Sequence, residues 1–365
     1  MRHWGGGGAA EDIHYLVSLL RLPGVRRGQV IALRSALGSA RAIWEAAPAR
    51  LREAGASEQQ VAALSAHPPR LAGPAPEVER SWRLGHRVFS LWDPEYPAWL
   101  RQLPDAPVVL YCWGEVRPED ERAVAVVGTR RATAYGLEVA GRLARNLASA
   151  GLTVVSGLAR GIDTCAHREA LAGGGRTIAV VGSALDRIYP AENRPLCAHI
   201  AARGAVLSEY PPGTDALPYH FPDRNRIIAG LSLGVVVVEA PLRSGALNTA
   251  AHALELGRPV MAVPGPVNRR ESAGCNRLIR DGAHLVEGVE DVMTALGSSV
   301  FPRPALPDLE PREQLVWDLL EGGSSYDLLH ARSNLAGGDL AATLLALELK
   351  GLVRRLPGQV YVRTR

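Results

Sequence analysis

Five segments of the chain gather glycines, hydroxyls and arginines in loops suited to holding an anion. They are GTRRATAYG (128–136), SGLARGIDTCAH (156–167), GSALDRIYPAEN (182–193), HFPDRNRIIAGLS (220–232) and RSGALNTAAHA (243–253). Four follow an apolar run directly, and the fourth in order leads into one. Backbone N–H groups at such strand-to-helix turns bind phosphates, glycine lets the ligand approach, and arginine adds two-pronged donation. The candidate anion-binding residues are Gly128, Thr129 and Arg130, then Gly157, then Gly182, Ser183 and Asn193. Phe221, Arg224, Asn225 and Arg226 follow, and Ser244, Gly245 and Thr249 complete the set. Asn225 reads as the cap of a helix whose apolar part starts just after it, with both flanking arginines aimed at the anion. Tyr189, Tyr219 and Phe221 flank two of the loops and could stack on bases.

The same segments exclude several chemistries. Arg130 stands where G-x-G-x-x-G would need its second glycine, and the second strand ends in Ser156-Gly157 rather than an acid that would hold a ribose. No nicotinamide or flavin cofactor is expected, and no cofactor of any kind. Ser156, Asp163 and His167 have the residue types of a hydrolytic triad, but the serine lacks a G-x-S-x-G elbow. Asp163 and His167, four apart, suit a local hydrogen bond, and Asp163 reads as a brace of its loop. The four cysteines, Cys112, Cys165, Cys197 and Cys275, have no metal-ligand spacing and read as reduced thiols. With no carboxylate pair or activated nucleophile beside the loops, the pattern binds phosphates and no enzyme activity is expected.

These loops need a scaffold of strands and helices. Runs rich in β-branched residues at 124–128, 153–157, 177–182, 205–209, 235–240 and 260–265 mostly alternate with amphipathic segments such as 137–151 and 246–257. That alternation predicts an α/β fold, a Rossmann-like parallel sheet with helices on both faces. Ligands bind such sheets at the carboxyl ends of the strands, where all five loops fall.

The chain has 365 residues, 47% hydrophobic and 21% charged, enough for two or three domains. Proline-rich stretches at 67–76 and 301–311 read as linkers. They divide a helical N-terminal domain (1–75), the Rossmann-like domain (76–300) and a C-terminal domain (306–365). The first has glycine turns at Pro23-Gly24 and Gly55, like a helix-hairpin-helix module or a generic helical interaction domain. The last runs through three helical patterns into two extended pieces joined by Pro357-Gly358, the order of a winged helix. Its third helix, DLAATLLALELK, offers little for reading DNA. The formal net charge is +4, and every basic side chain except Lys350 is arginine. The positive charge is spread along the chain, so a phosphate site must be a local cluster. No signal peptide and no membrane-length apolar run is present, so a soluble cytoplasmic protein is expected.

Between about 124 and 287 the motifs VAVVGTRRA, SGLARGIDTCAH, VVGSALDRIYPAEN, LSEYPPG, HFPDRNRIIAGLS, VVVVEAPLRSGALNTA, VMAVPGP and GCNRLIRDGAHLV follow one another in order. In this they resemble the core of the Smf/DprA family, DNA processing protein A. The flanking modules resemble that family's N-terminal SAM or helix-hairpin-helix domain and its C-terminal winged helix. The resemblance implies a protein that binds single-stranded DNA in natural transformation and recombination, forms a homodimer and loads the RecA recombinase. It places a DNA-contacting arginine at Arg130, with Thr129 in place of the usual serine. The self-association surface falls on Asn276, Ile279 and Leu285, with Leu278 beside them. Many members carry a DNA-contacting lysine after the Tyr-Pro of the third loop, where this chain has Ala191, and Arg194 is the nearest substitute. An alternative is a phosphoribohydrolase of the lysine-decarboxylase-like family, which acts on nucleoside monophosphates through P-G-G-x-G-T-x-x-E. Here the matching stretch is EAPLRSGALNTA, and its only acid, Glu239, precedes the glycine. A third reading, a transcription regulator acting through the winged helix, is weakened by that domain's apolar third helix.

Overall fold

The computed structural model describes residues 7–66, 75–297, 309–320, 323–350, 352–356 and 358–363. Most of both proline-rich stretches lies outside these residues. The chain divides into two compact units, 1–300 and 301–365.

The first unit opens with helices α1 (Gly7–Leu20), α2 (Arg27–Leu37), α3 (Ala40–Glu45), α4 (Pro48–Glu53), α5 (Glu58–Ala66) and α6 (Pro76–Arg83). Strands β1 (Arg87–Ser90) and β2 (Val109–Gly114) follow. The winding part is β3 (Ala123–Val127), α7 (Ala134–Ser149), β4 (Thr153–Ser156), α8 (Ile162–Ala172), β5 (Thr177–Val181), α9 (Arg194–Arg203), β6 (Ala205–Ser208), α10 (His220–Leu231), β7 (Val235–Val237), α11 (Gly245–Glu255) and β8 (Val260–Ala262). Helix α12 (Ala273–Arg280), strand β9 (His284–Leu285) and helix α13 (Val289–Leu296) close it. One sheet holds all nine strands in the order β1-β2-β6-β5-β4-β3-β7-β8-β9. From β6 to β9 every pairing is parallel, while β2 runs antiparallel to both β1 and β6.

The six runs expected as strands are β3 to β8. They are buried along their whole length because helices cover both faces of the sheet. Successive side chains alternate between the faces. Val155, Ile178, Val180 and Leu207 pack with Ile227 and Ile228 of α10, whereas Ala179, Val181 and Val206 pack with Leu196, Cys197 and Ile200 of α9. The second cluster also takes in Leu16, Leu19, Val30, Ile43, Leu51 and Val61, so the N-terminal helices share a core with the sheet.

The second unit contains α14 (Pro311–Leu319), β10 (Ser324–Ser325), α15 (Tyr326–Ser333), α16 (Gly337–Leu349), β11 (Val353–Leu356) and β12 (Val360–Arg363), with sheet order β10-β12-β11. This is the expected winged helix, with Trp317, Leu329, Leu340, Leu344, Leu347 and Tyr361 among its core residues.

Candidate functional site

Strand β3 starts the parallel run yet lies at its centre. The chain winds outward through β4, β5 and β6, then crosses back to place β7 on the other side of β3. A crevice opens at such a switch point. Here it is a cavity of about 620 Å³, into which the loops after β3, β4, β5 and β7 and the start of α10 all project.

The loop after β3 is fixed by close packing. A side chain at Gly128 would place its Cβ 2.5 Å from Ile162 and 2.9 Å from the Glu239 carbonyl. The Thr129 N–H donates to that carbonyl at 2.7 Å. Gly161 has φ +76°, and a Cβ there would strike the Thr129 carbonyl, so only glycine suits the turn into α8. Thr133 caps α7, accepting from the Gly136 N–H at 3.1 Å. Glu239 is 2% exposed and accepts from the Thr133 N–H at 2.9 Å and the Thr133 hydroxyl at 2.6 Å. This acid therefore ties the end of β7 to the start of α7.

The crevice wall carries cations and rings. The Arg130 guanidinium lies over the Phe221 ring at 4.9 Å, and the Tyr189 ring stands 5.7 Å from Phe221. Arg224 is buried, donating from Nη1 to the Gly157 carbonyl at 2.6 Å and also to the Val180 carbonyl, while its Nε has no hydrogen-bond partner among the described residues. Burial pulls its pKa down to about 10, with Arg130 adding to the fall and Asp163 opposing it, so it stays cationic at neutral pH. Burial in turn raises the Asp163 carboxyl, although Arg224 opposes this. Asp163 braces its loop as expected, accepting from the Ala159 N–H at 3.4 Å. Ser244 caps α11, accepting from the Ala246 N–H at 3.3 Å, with Gly245 and Thr249 beside it on the crevice.

Several expected residues have other tasks. Asn225 does not cap α10, because that helix starts five residues earlier, at His220, and Pro222 fits in its first turn where no N–H donor is needed. Its amide instead donates to the Gly245 carbonyl and to Asn248 Oδ1 across to α11. Arg226 does not line the crevice; its guanidinium meets Glu209, Asp105 and Asp223. A Cβ at Gly157 would run into the Arg224 guanidinium, and one at Gly182 would come within 3.1 Å of Phe221. The buried Ser183 offers its carbonyl to the Ser208 hydroxyl at 2.7 Å. Asn193 braces the loop after β4 through the Leu158 carbonyl and Thr164, and Arg194 is exposed at the start of α9.

The triad does not form. Ser156 donates to the Val126 carbonyl at 2.7 Å. His167 pairs its Nδ1 with Thr177 Oγ1 at 2.7 Å, in place of the expected bond to Asp163. Arg243, which lines the crevice just before the Ser244 cap, was not picked out from the sequence. A basic side chain one residue before a helix cap was the available signal.

Far along the sheet, Asn276 exchanges two hydrogen bonds with the backbone of Gly265. Leu278 and Ile279 of α12 pack partly on the sheet cluster, whereas Leu285 on the edge strand β9 is 46% exposed.

A family model described as "DNA recombination-mediator protein A" matches residues 87–297, and one described as "DprA winged helix domain" matches 301–359. The chain belongs to the DNA recombination-mediator protein A (DprA) family. The DNA processing protein DprA of Streptococcus pneumoniae is 47% identical over 205 residues, 56% of this chain and 72% of that protein. A solved structure of DprA from S. pneumoniae superposes with a TM-score of 0.67 at 36% identity, covering 77% of this chain and 97% of that one. The structure of DNA processing protein A from Helicobacter pylori, which concerns its single-stranded-DNA binding mode, superposes with a TM-score of 0.53 at 33% identity over 59% of this chain and 96% of that one.

Proposed function

We propose that the crevice binds single-stranded DNA, as the H. pylori relative does by its description. The observation that carries this reading is the Arg130 guanidinium resting on Phe221 beside Tyr189, at the mouth of two capped helices. Helix N-termini and arginines take phosphates of any sequence, and the rings take base faces. The protein acts in the cytoplasm in natural transformation and recombination, as a homodimer that loads RecA, without catalysis of its own. Nucleotide hydrolysis is the less supported reading, because Glu239 is held by Thr133 and Asp163 by its own loop.

Titration with labelled single- and double-stranded oligonucleotides across salt tests the proposal. Single strands should bind more tightly, with affinity falling as salt rises. Arg130→Ala should weaken all sequences alike and reduce the salt slope by about one unit for a lost phosphate contact. Equal affinity and slope in that variant would remove Arg130 from the site. Release of base from nucleoside monophosphates by the wild type would favour the hydrolase.

A further inference from the structure

The helix that brings Phe221, Arg224 and Asn225 to the crevice is gripped by the N-terminal helices. Arg27, the first residue of α2, donates from Nη1 to Glu209 Oε2 at 2.7 Å. Its Nη2 donates to both carboxylate oxygens of Asp223, at 2.9 and 3.1 Å. Asp223 lies between Pro222 and Arg224, both of which line the crevice. Glu209 Oε2 also meets Arg226 Nη2 at 2.5 Å, and Arg226 Nε lies 3.0 Å from Asp105 and 3.5 Å from Asp223. The Tyr210 hydroxyl reaches Asp223 Oδ2 at 3.4 Å. One guanidinium from α2 and one from α10 thus share two carboxylates at the first turns of α10.

These charges are not what holds the N-terminal helices in place. Leu16, Leu19, Val30 and their neighbours share an apolar cluster with Val109, Tyr111 and Val181 of the sheet, and that burial persists if Arg27 is lost. What Arg27 adds is directional. Its planar fork spans two carboxylates on different segments, one in α10 and one after β6, which a point charge cannot do equally well. Without it, Asp223 loses its two-pronged partner and Glu209 is left with Arg226 among the described residues. The first turn of α10, which carries the ring under Arg130, is then free to shift.

We propose that Arg27 is a positioning residue of the crevice: through Asp223 and Glu209 it fixes the start of α10, so the N-terminal helices set how tightly a single strand is held without touching it. The inference rests on the single-stranded-DNA reading above.

The test uses the full chain, a fluorescent oligo-dT and the variants Arg27→Ala and Arg27→Lys. Arg27→Ala should weaken binding about tenfold, in the range usual for coupling between sites. Its salt slope should match the wild type, since no phosphate contact is lost. Without DNA, amides of residues 220–226 should exchange faster, while those of β3 and β5 stay as protected as before. Arg27→Lys, which keeps the charge and is the milder change should alanine harm folding, should fall between the two. Unchanged affinity in either folded variant, unchanged exchange at 220–226, or a slope lower by about one unit in Arg27→Ala would each overturn the proposal, the last by making Arg27 a direct contact. A wild type that binds no single strand would instead remove the reading of the crevice, and the inference with it.

Discussion

At the scale of single residues, the crevice separates two kinds of arginine. Arg130 is a loop side chain whose guanidinium rests on the Phe221 ring at the crevice wall. Arg224 is buried and donates to carbonyls at the ends of β4 and β5. Arg224→Ala should therefore lower stability by about 2–4 kcal/mol in chemical denaturation, because buried carbonyls lose their donor and Asp163 loses the cation that favours its charged form. Arg130→Ala should stay within about 0.5 kcal/mol of the wild type by the same measurement. Equal losses in the two variants would contradict this division. The sequence could not separate Arg224 from Arg226, since both flank Asn225 in a polar stretch. On a helix they point about 200° apart, which sends one to the crevice and the other to Glu209 and Asp105. That difference was hidden because the apolar residues from Ile227 onward looked like the start of the helix, whereas Pro222 fits in its first turn.

At the scale of elements, the parallel strands were legible because burial on both faces writes them as short β-branched runs. Strands β1, β2 and β9 were not singled out. The first two join the sheet antiparallel without a crossover helix, and β9 has only two residues, too few for a period. The crevice loops were legible from glycine and helix-cap chemistry, but the partners of Glu239 and Asn193 depend on contacts that no spacing records. One contact between elements sets a pH dependence. His167 of α8 pairs with Thr177 of β5, and burial pulls its pKa down to about 3. An ordinary histidine near 6.5 in the unfolded chain takes up a proton that the folded one refuses. This contribution is thus fully present above pH 6.5 and is lost as pH falls toward 3, by up to about 1.4 kcal/mol per pH unit. His167→Gln should lose stability less steeply between pH 6.5 and 4 than the wild type, as read by thermal melts. Parallel curves would show that His167 does not carry the effect. In the winged helix, Leu345 and Leu349 of α16 are 56% and 81% exposed where a DNA-reading helix would carry polar donors. A chain lacking 306–365 should keep single-strand affinity within about threefold of the full length, less than the roughly 1.4 kcal/mol of a tenfold change, since the residues that line the crevice all belong to the first unit. Loss of binding by a folded truncation would assign the grip to this unit.

At the scale of the whole molecule, the sheet ends, among the described residues, on β9, a two-residue strand paired with β8, with Leu285 exposed on it and Leu254 of α11 62% exposed. Leu278 and Ile279 are half-buried on the adjoining α12. Exposed apolar residues beside a sheet edge suit a two-fold contact with a second copy, because one self-complementary surface then closes both molecules. Asn276 shapes this region from within, by holding the Gly265 loop. Ile279 packs on the sheet cluster, so replacing it would strain the fold as well as the contact. Leu285 is the cleaner probe, since a charge there meets water in the monomer and an apolar surface in the dimer. Leu285→Glu should give a folded monomer, and its melting temperature should show how little the fold itself depends on this residue. Two crevices joined across such an axis engage one strand by effective concentration. The monomer should therefore lose about ten- to a hundredfold in affinity for long oligonucleotides and much less for ones that fill a single crevice. Sedimentation at micromolar protein, alongside titration with short and long oligonucleotides, measures both effects. A wild type that sediments as a monomer, or a Leu285→Glu protein that remains dimeric, would place self-association elsewhere or nowhere on this chain.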